Sequence, residues 1–234
     1  MTHPRSGASE ADPFFGSPAR EAGGPAWIGL GLGRGHSRGA ADDAFVNQGN
    51  TSGSSNWFRE RGWSPVGEPT SVPVVAELME AAPVPVGDEH RPYGAFAGRY
   101  EELDALAFNV GFSTKQGIAS KWTITAVGRI SEGDAFWLHP ARLGSFHRKG
   151  VSAHPVGSSR DSGWSLLTMR DDSPLSQKLA QSTSISEALL GTDGGDEIWG
   201  SQTAIAALRP DDYRPALLQH HLQLLRTIAL GIGE

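Results

Sequence analysis

The amino-acid sequence predicts an α+β fold: an antiparallel sheet packed against short helices and a long C-terminal helix, preceded by a disordered N-terminal tail. Three observations predict it. Leu106, Phe108, Val110 and Phe112 alternate with Ala107, Asn109 and Gly111, the period-2 signature of a half-buried strand. Leu218, Leu222, Leu225, Ala229 and Ile232 recur every three or four residues near the C-terminus, a helical apolar stripe broad enough to pack across a sheet. Residues 1–55 hold eleven Gly and four Pro, over a quarter of that segment, and few large apolar side chains. Such a composition cannot bury enough surface to offset its ordering entropy.

The tail has two apolar islands, Phe14-Phe15 and Trp27-Ile28, which are candidate binding motifs for a protein partner or for docking back onto the domain. Its Gly29-to-Gly35 run has glycine at alternate positions, but no strand precedes it, no helix follows it and no acidic residue stands about 20 positions on, so it does not make a dinucleotide fingerprint. Order is expected from Asn56, giving one α+β domain over residues 56–234 with half-units 94–138 and 164–232.

In chain order, Asn56 caps a short helix that Gly62 ends, with Trp57 and Phe58 to bury. A second helix spans Val74 to Ala82, after which Pro83 and Pro85 force an extended run. Strands follow over 94–100 and 103–112 with a tight turn at Glu101-Glu102, then over 121–128 and 134–138, the last stopped by Pro140. Residues 146–163 read as an irregular loop.

The C-terminal unit carries explicit punctuation. A strand over 164–169 leads to Asp171-Asp172-Ser173-Pro174, where Asp172 or Ser173 can cap a helix reaching Gln181. Ser184 and Glu187 form a capping box, and Gly191 closes that helix. Two short strands, 198–200 and 203–207, precede the final helix, which is expected to start at Asp211 or Asp212. Both acidic pairs thus have a structural job at a helix start, complementing the helix dipole.

The order of Phe58-to-Trp63 helix, Gly98-Arg99-Tyr100 strand, aromatic strand ending in Phe112, Trp-strand, Asp-Asp-Ser-Pro turn and terminal leucine-rich helix resembles a family of uncharacterised α+β proteins common in high-GC actinobacteria. Its members usually show Asp-Asp-Pro where this chain has Asp171-Asp172-Ser173-Pro174. The resemblance covers residues 56–234; it implies a fold type and assigns no catalytic residue.

Composition excludes several function classes. A net charge of −6 and a pI near 5.7 argue against a broad nucleic-acid footprint. The absence of cysteine removes thiol catalysis, iron–sulfur clusters and cysteine zinc sites, and fits a reducing cytoplasm. No stretch approaches the eighteen apolar residues of a membrane span. No motif calls for a cofactor or a metal.

Two chemistries remain to be weighed. His139, His147 and His154 lie close in sequence to Asp134 and Asp161, which makes this region the candidate site for a small hydrolase or metal-assisted enzyme. No His-Glu-x-x-His spacing and no Gly-x-Ser-x-Gly elbow supports it. His221 shares the apolar stripe of the last helix with Leu217 and Leu225, which makes it a hydrogen-bonded core residue rather than a ligand. The sequence therefore favours a non-enzymatic, soluble, cytoplasmic interaction or ligand-binding module, with the catalytic reading of residues 134–161 as the alternative.

Overall fold

The computed structural model describes residues 51–233 apart from 85, 88, 114–118, 141–150, 157–162, 171–172, 193–195 and 211–212. The tail islands Phe14, Phe15, Trp27 and Ile28, together with His147, Asp161 and the two Asp-Asp pairs, lie outside the described residues.

Nine strands form one sheet, every neighbouring pair antiparallel, in the order β1-β2-β3-β4-β9-β8-β5-β7-β6. They are β1 (Ser64–Pro65), β2 (Arg91–Tyr100), β3 (Leu103–Ser113), β4 (Ala119–Gly128), β5 (Phe136–Pro140), β6 (Ser152–Pro155), β7 (Trp164–Thr168), β8 (Glu197–Gly200) and β9 (Ala204–Arg209). The helices are α1 (Thr51–Glu60), α2 (Pro73–Ala81), α3 (Pro174–Gln181), α4 (Thr183–Leu190) and α5 (Pro215–Gly233). The predicted α+β class, with its antiparallel sheet, short helices and long C-terminal helix, is what the chain adopts.

Alternation along each strand divides the apolar side chains between two cores. On one face Ala105, Ala107, Val127, Ile205, Ile198, Phe136, Leu138 and Leu166 meet the stripe of α5 and the buried sides of α3 and α4. On the other, Leu106, Phe108, Ile124, Ala126, Ala206, Trp199 and Trp137 meet Val74, Val75 and Leu78 of α2. The chain returns from α4 through the β8–β9 hairpin, which inserts between β4 and β5 and joins the earlier strands to the later ones.

Six local readings shift. α1 begins at Thr51, so Asn56 lies within it rather than at its cap, and α5 begins at Pro215 rather than at Asp211 or Asp212. β6 lies inside the stretch 146–163 expected to be irregular; its pairing to β7, from Ser152↔Thr168 to Pro155↔Ser165, is a non-local contact that a polar, Pro-containing sequence does not announce. β5 runs through His139 and Pro140, because the alternating ladder turns the Pro140 nitrogen toward β8, past the last β8 pair at Leu138↔Ile198. The cap of α4 is Ser182, whose hydroxyl accepts from the Ile185 N–H at 3.3 Å, two residues before the expected capping box. Ser173 stands at the N-cap of α3 without a capping bond from its side chain.

Candidate functional site

The inward positions of β3 and β4 read Leu103, Ala105, Ala107, Asn109 and Thr123, Thr125, Val127: apolar at one end of the strands and polar at the other. The polar positions pair across the sheet as Asn109↔Thr123↔Arg209 and Ala107↔Thr125↔Ala207. Thr123 donates its hydroxyl to Asn109 Oδ1 at 3.0 Å, a buried hydrogen bond between neighbouring strands.

Above the row sits a charged cluster. His221 of α5, fully buried, has Nδ1 at 3.2 Å from the Thr125 hydroxyl and Nε2 at 3.0 Å from Asp196 Oδ1. Asp196, immediately before β8, is also fully buried. Arg209 Nε approaches the same oxygen at 3.3 Å, and His220 Nε2 stands 3.4 Å from Oδ2. At that distance the geometry falls short of an aligned hydrogen bond, and Oδ2 has no hydrogen-bond partner among the described residues.

Burial alone would raise the Asp196 carboxyl, but the two imidazoles and the Arg209 guanidinium outweigh it and hold the group well below the usual carboxylate range. The ionised Asp196 accepts from His221 Nε2–H, and the other ring nitrogen, Nδ1, meets the Thr125 hydroxyl. These two contacts tie α5, β4 and the start of β8 together.

Thr125, His221 and Asp196 thus stand in the connectivity of a hydroxyl–imidazole–carboxylate triad. Access distinguishes them from one. Thr125 has no exposed surface and sits mid-strand between Ala107 and Ala207, and His221 and Asp196 are equally covered. A nucleophile has to reach a carbonyl carbon, and this hydroxyl faces the underside of a helix. Among the described residues of the cluster, Arg209 and His220 come toward solvent, with side chains 25% and 36% exposed.

The sequence-derived candidates fall elsewhere. His139 lies directly across from Ser165, on the same face as Trp137 and α2. His154 lies across from Leu166, on the opposite face, where its Nε2 is buried without a hydrogen-bond partner among the described residues. The two imidazoles therefore project to opposite sides of the sheet. Asp134 is at the far end of β5, five residues and roughly 17 Å along an extended chain from His139. There its carboxylate is 3.9 Å from Arg170, and its carbonyl accepts from Arg129 at 3.0 Å. The carboxyl that does stand by His139 is Glu197, next along β8 after the Leu138↔Ile198 pair. Burial raises the Glu197 carboxyl, and His139 offsets part of that rise.

Among the described residues, no group of three His, Cys, Asp or Glu side chains stands where it could hold a metal ion, and no helix is long and apolar enough to cross a membrane. Sequence reasoning found the buried, hydrogen-bonded His221 and missed its partner, because Asp196 follows Asp193-Gly194-Gly195 and reads as part of a turn. The available signal was the run of polar residues, Asn109, Thr123 and Thr125, at positions where strand alternation demands inward side chains.

No family model matches the chain, and no curated protein matches it. Among solved structures it is similar to the mycobacterial trehalose monomycolate transport factor A, TtfA, at 12% sequence identity and a TM-score of 0.54, over 76% of this chain and 91% of that one. At that identity the likeness shows a shared fold alone.

Proposed function

We propose that the protein is a non-enzymatic, soluble interaction or ligand-binding module of the cytoplasm, related to the α+β proteins of actinobacteria. The observation that carries this reading is the closure of the Thr125–His221–Asp196 cluster. The groups best arranged for acid–base chemistry are committed to one another beneath α5 and have no surface to offer a substrate. Their connectivity ties three elements together, which is a structural role. The shared fold with a transport factor is compatible with a function other than catalysis, but it argues for architecture alone.

The partner-binding part of the proposal rests on the tail motifs Phe14-Phe15 and Trp27-Ile28. Affinity capture from the source cells, with the full chain and with a Phe14→Ala, Phe15→Ala, Trp27→Ala, Ile28→Ala variant, tests it. A saturable partner lost in the variant supports recognition by the tail. A partner retained undiminished moves recognition to the sheet-and-helix body, and turnover of a captured small molecule overturns the non-enzymatic reading.

A second reading, a small hydrolase using the region around His139, has one observation in its favour. Ser165, His139 and Glu197 occupy adjacent positions across β7, β5 and β8 on one face, all half-buried rather than sealed. Incubation with activated acyl esters discriminates the readings: hydrolysis abolished by both Ser165→Ala and His139→Ala favours the enzyme, and a rate unchanged by either favours the module.

A further inference from the structure

We propose that the α2 face of the sheet carries a binding site for a small organic cation, an alkylammonium or guanidinium group, anchored by the Glu197 carboxylate. Glu197 follows the Leu138↔Ile198 pair along β8, which sets it across from His139, and it pairs with Leu208 on its other side. The three side chains form one row across adjacent strands, about 5 Å from neighbour to neighbour. Glu197 and His139 are half-buried, and Leu208 is buried in the α2-side core. One row further along the strands stand Trp137 and Trp199, whose indoles donate to the last turn of α2.

Register selects the charge of the ligand. Asp196 and Glu197 are adjacent in the chain and serve opposite faces of the sheet. Arg209 and His220 gather around Asp196 on the α5 face, and Lys121, two residues before Thr123, has the parity of that face. The positive group that acts on Glu197 is His139, and burial keeps the Glu197 carboxyl above its ordinary range against the pull of that imidazole. A cation entering the row answers this half-buried carboxylate, with its alkyl part toward Leu208.

This inference rests on the ligand-binding reading above and not on the hydrolytic one. Titration of the 15N-labelled full chain with n-butylammonium chloride tests it, with butan-1-ol and sodium butyrate at matched ionic strength as comparisons. Saturable shifts of the Trp137 and Trp199 indole N–H signals are expected with n-butylammonium alone. Glu197→Gln should weaken that binding by about tenfold or more, and His139→Gln, which removes the competing imidazole, should tighten it. The second variant keeps the test decisive should the first fail to fold. No saturable shift, equal binding of butyrate or butan-1-ol, or an affinity that neither substitution moves overturns the site. Such a result leaves the interaction-module reading standing, because recognition by the tail motifs is read separately by affinity capture.

Discussion

Asp196 concentrates the physics of this molecule at the scale of single residues. A carboxylate with no exposed surface is tolerable only if its charge is answered, and Arg209 and His221 answer it at 3.3 and 3.0 Å. Replacing His221 by Ala removes one of these partners and leaves a gap under α5. The expected loss is about 3–5 kcal/mol, the range for breaking a buried pair, read as a lower midpoint in urea unfolding. The pH dependence has a definite sign. The folded-state pKa of Asp196 is depressed, so its contribution is fully present above the unfolded value of about 4 and is lost as pH falls through the lower folded value. Asp196→Asn should therefore lower stability at neutral pH and flatten its decline below about pH 4, measured by denaturation at a series of pH values. An equally steep acid decline in the variant would remove Asp196 from that role. This pairing was only half legible in the sequence: the stripe of α5 locates His221, but no local pattern shows which carboxylate a β-hairpin will bring beneath a helix.

At the scale of elements, α2 illustrates how a nine-residue helix is held on an antiparallel sheet. Its apolar side, Val74, Val75 and Leu78, is buried, but a helix also ends in carbonyls that lack intrahelical partners. Two indoles supply them: Trp199 Nε1 donates to the Leu78 carbonyl at 3.1 Å and Trp137 Nε1 to the Ala81 carbonyl at 2.8 Å. The Glu77 carboxylate accepts from Thr203 N–H and hydroxyl at 2.9 and 2.7 Å, fastening the same helix to the β8–β9 turn. Trp199→Phe keeps most of the apolar contact and orphans the Leu78 carbonyl, so a cost of about 1–3 kcal/mol is expected, with faster amide exchange in the last turn of α2. A variant as stable as the parent would show that the indole contributes by packing alone.

The two tryptophans were readable as core residues from their strand positions; their donor role was not, because the helix they cap lies more than fifty residues away. Packing between β5 and β8 offers a second element-scale test. A Cβ at Gly200 would run into the ring of the fully buried Phe136, so Gly200→Ala forces the ring or a strand to move. The cost expected from overpacking is roughly 1–3 kcal/mol, measurable as a drop in Tm, and full recovery in Gly200→Ala with Phe136→Leu would confirm the cause.

On the scale of the whole molecule, an open nine-stranded sheet has two edges, and both are blunted. At one end β1 contributes only two residues, after which the Val66 N–H takes the Ala95 carbonyl at 2.8 Å and Trp63 Nε1 takes the Arg99 carbonyl at 3.1 Å. At the other, β6 has four residues. Its Val156 N–H bonds inward to Trp164, so alternation turns Pro155, which has no N–H, to the open side. Short edges and edge prolines are the usual protection against strand-to-strand association. Sedimentation velocity should accordingly show no concentration-dependent growth through the sheet, and Pro155→Thr should leave the fold intact while increasing self-association. Growth in the parent chain that a β6 substitution abolishes would contradict this.

Much of this architecture was legible: the paired strands around Glu101-Glu102, the β8–β9 hairpin and the long amphipathic helix all follow from local periodicity and turn chemistry. The strand order was not, because the insertion of β8 and β9 between β4 and β5 is decided by which apolar faces complete a common core. The same topology separates His139 from His154, neighbours in sequence that register sends to opposite faces.

The central claim is that the hydroxyl–imidazole–carboxylate cluster is sealed inside the fold and serves it. Chemical modification of the native chain by diethylpyrocarbonate, with the histidines resolved by mass spectrometry, tests this directly. The account predicts that His220 reacts while His221 stays protected until denaturant opens the fold. Reaction of His221 in the native protein at the rate of the unfolded chain would contradict it.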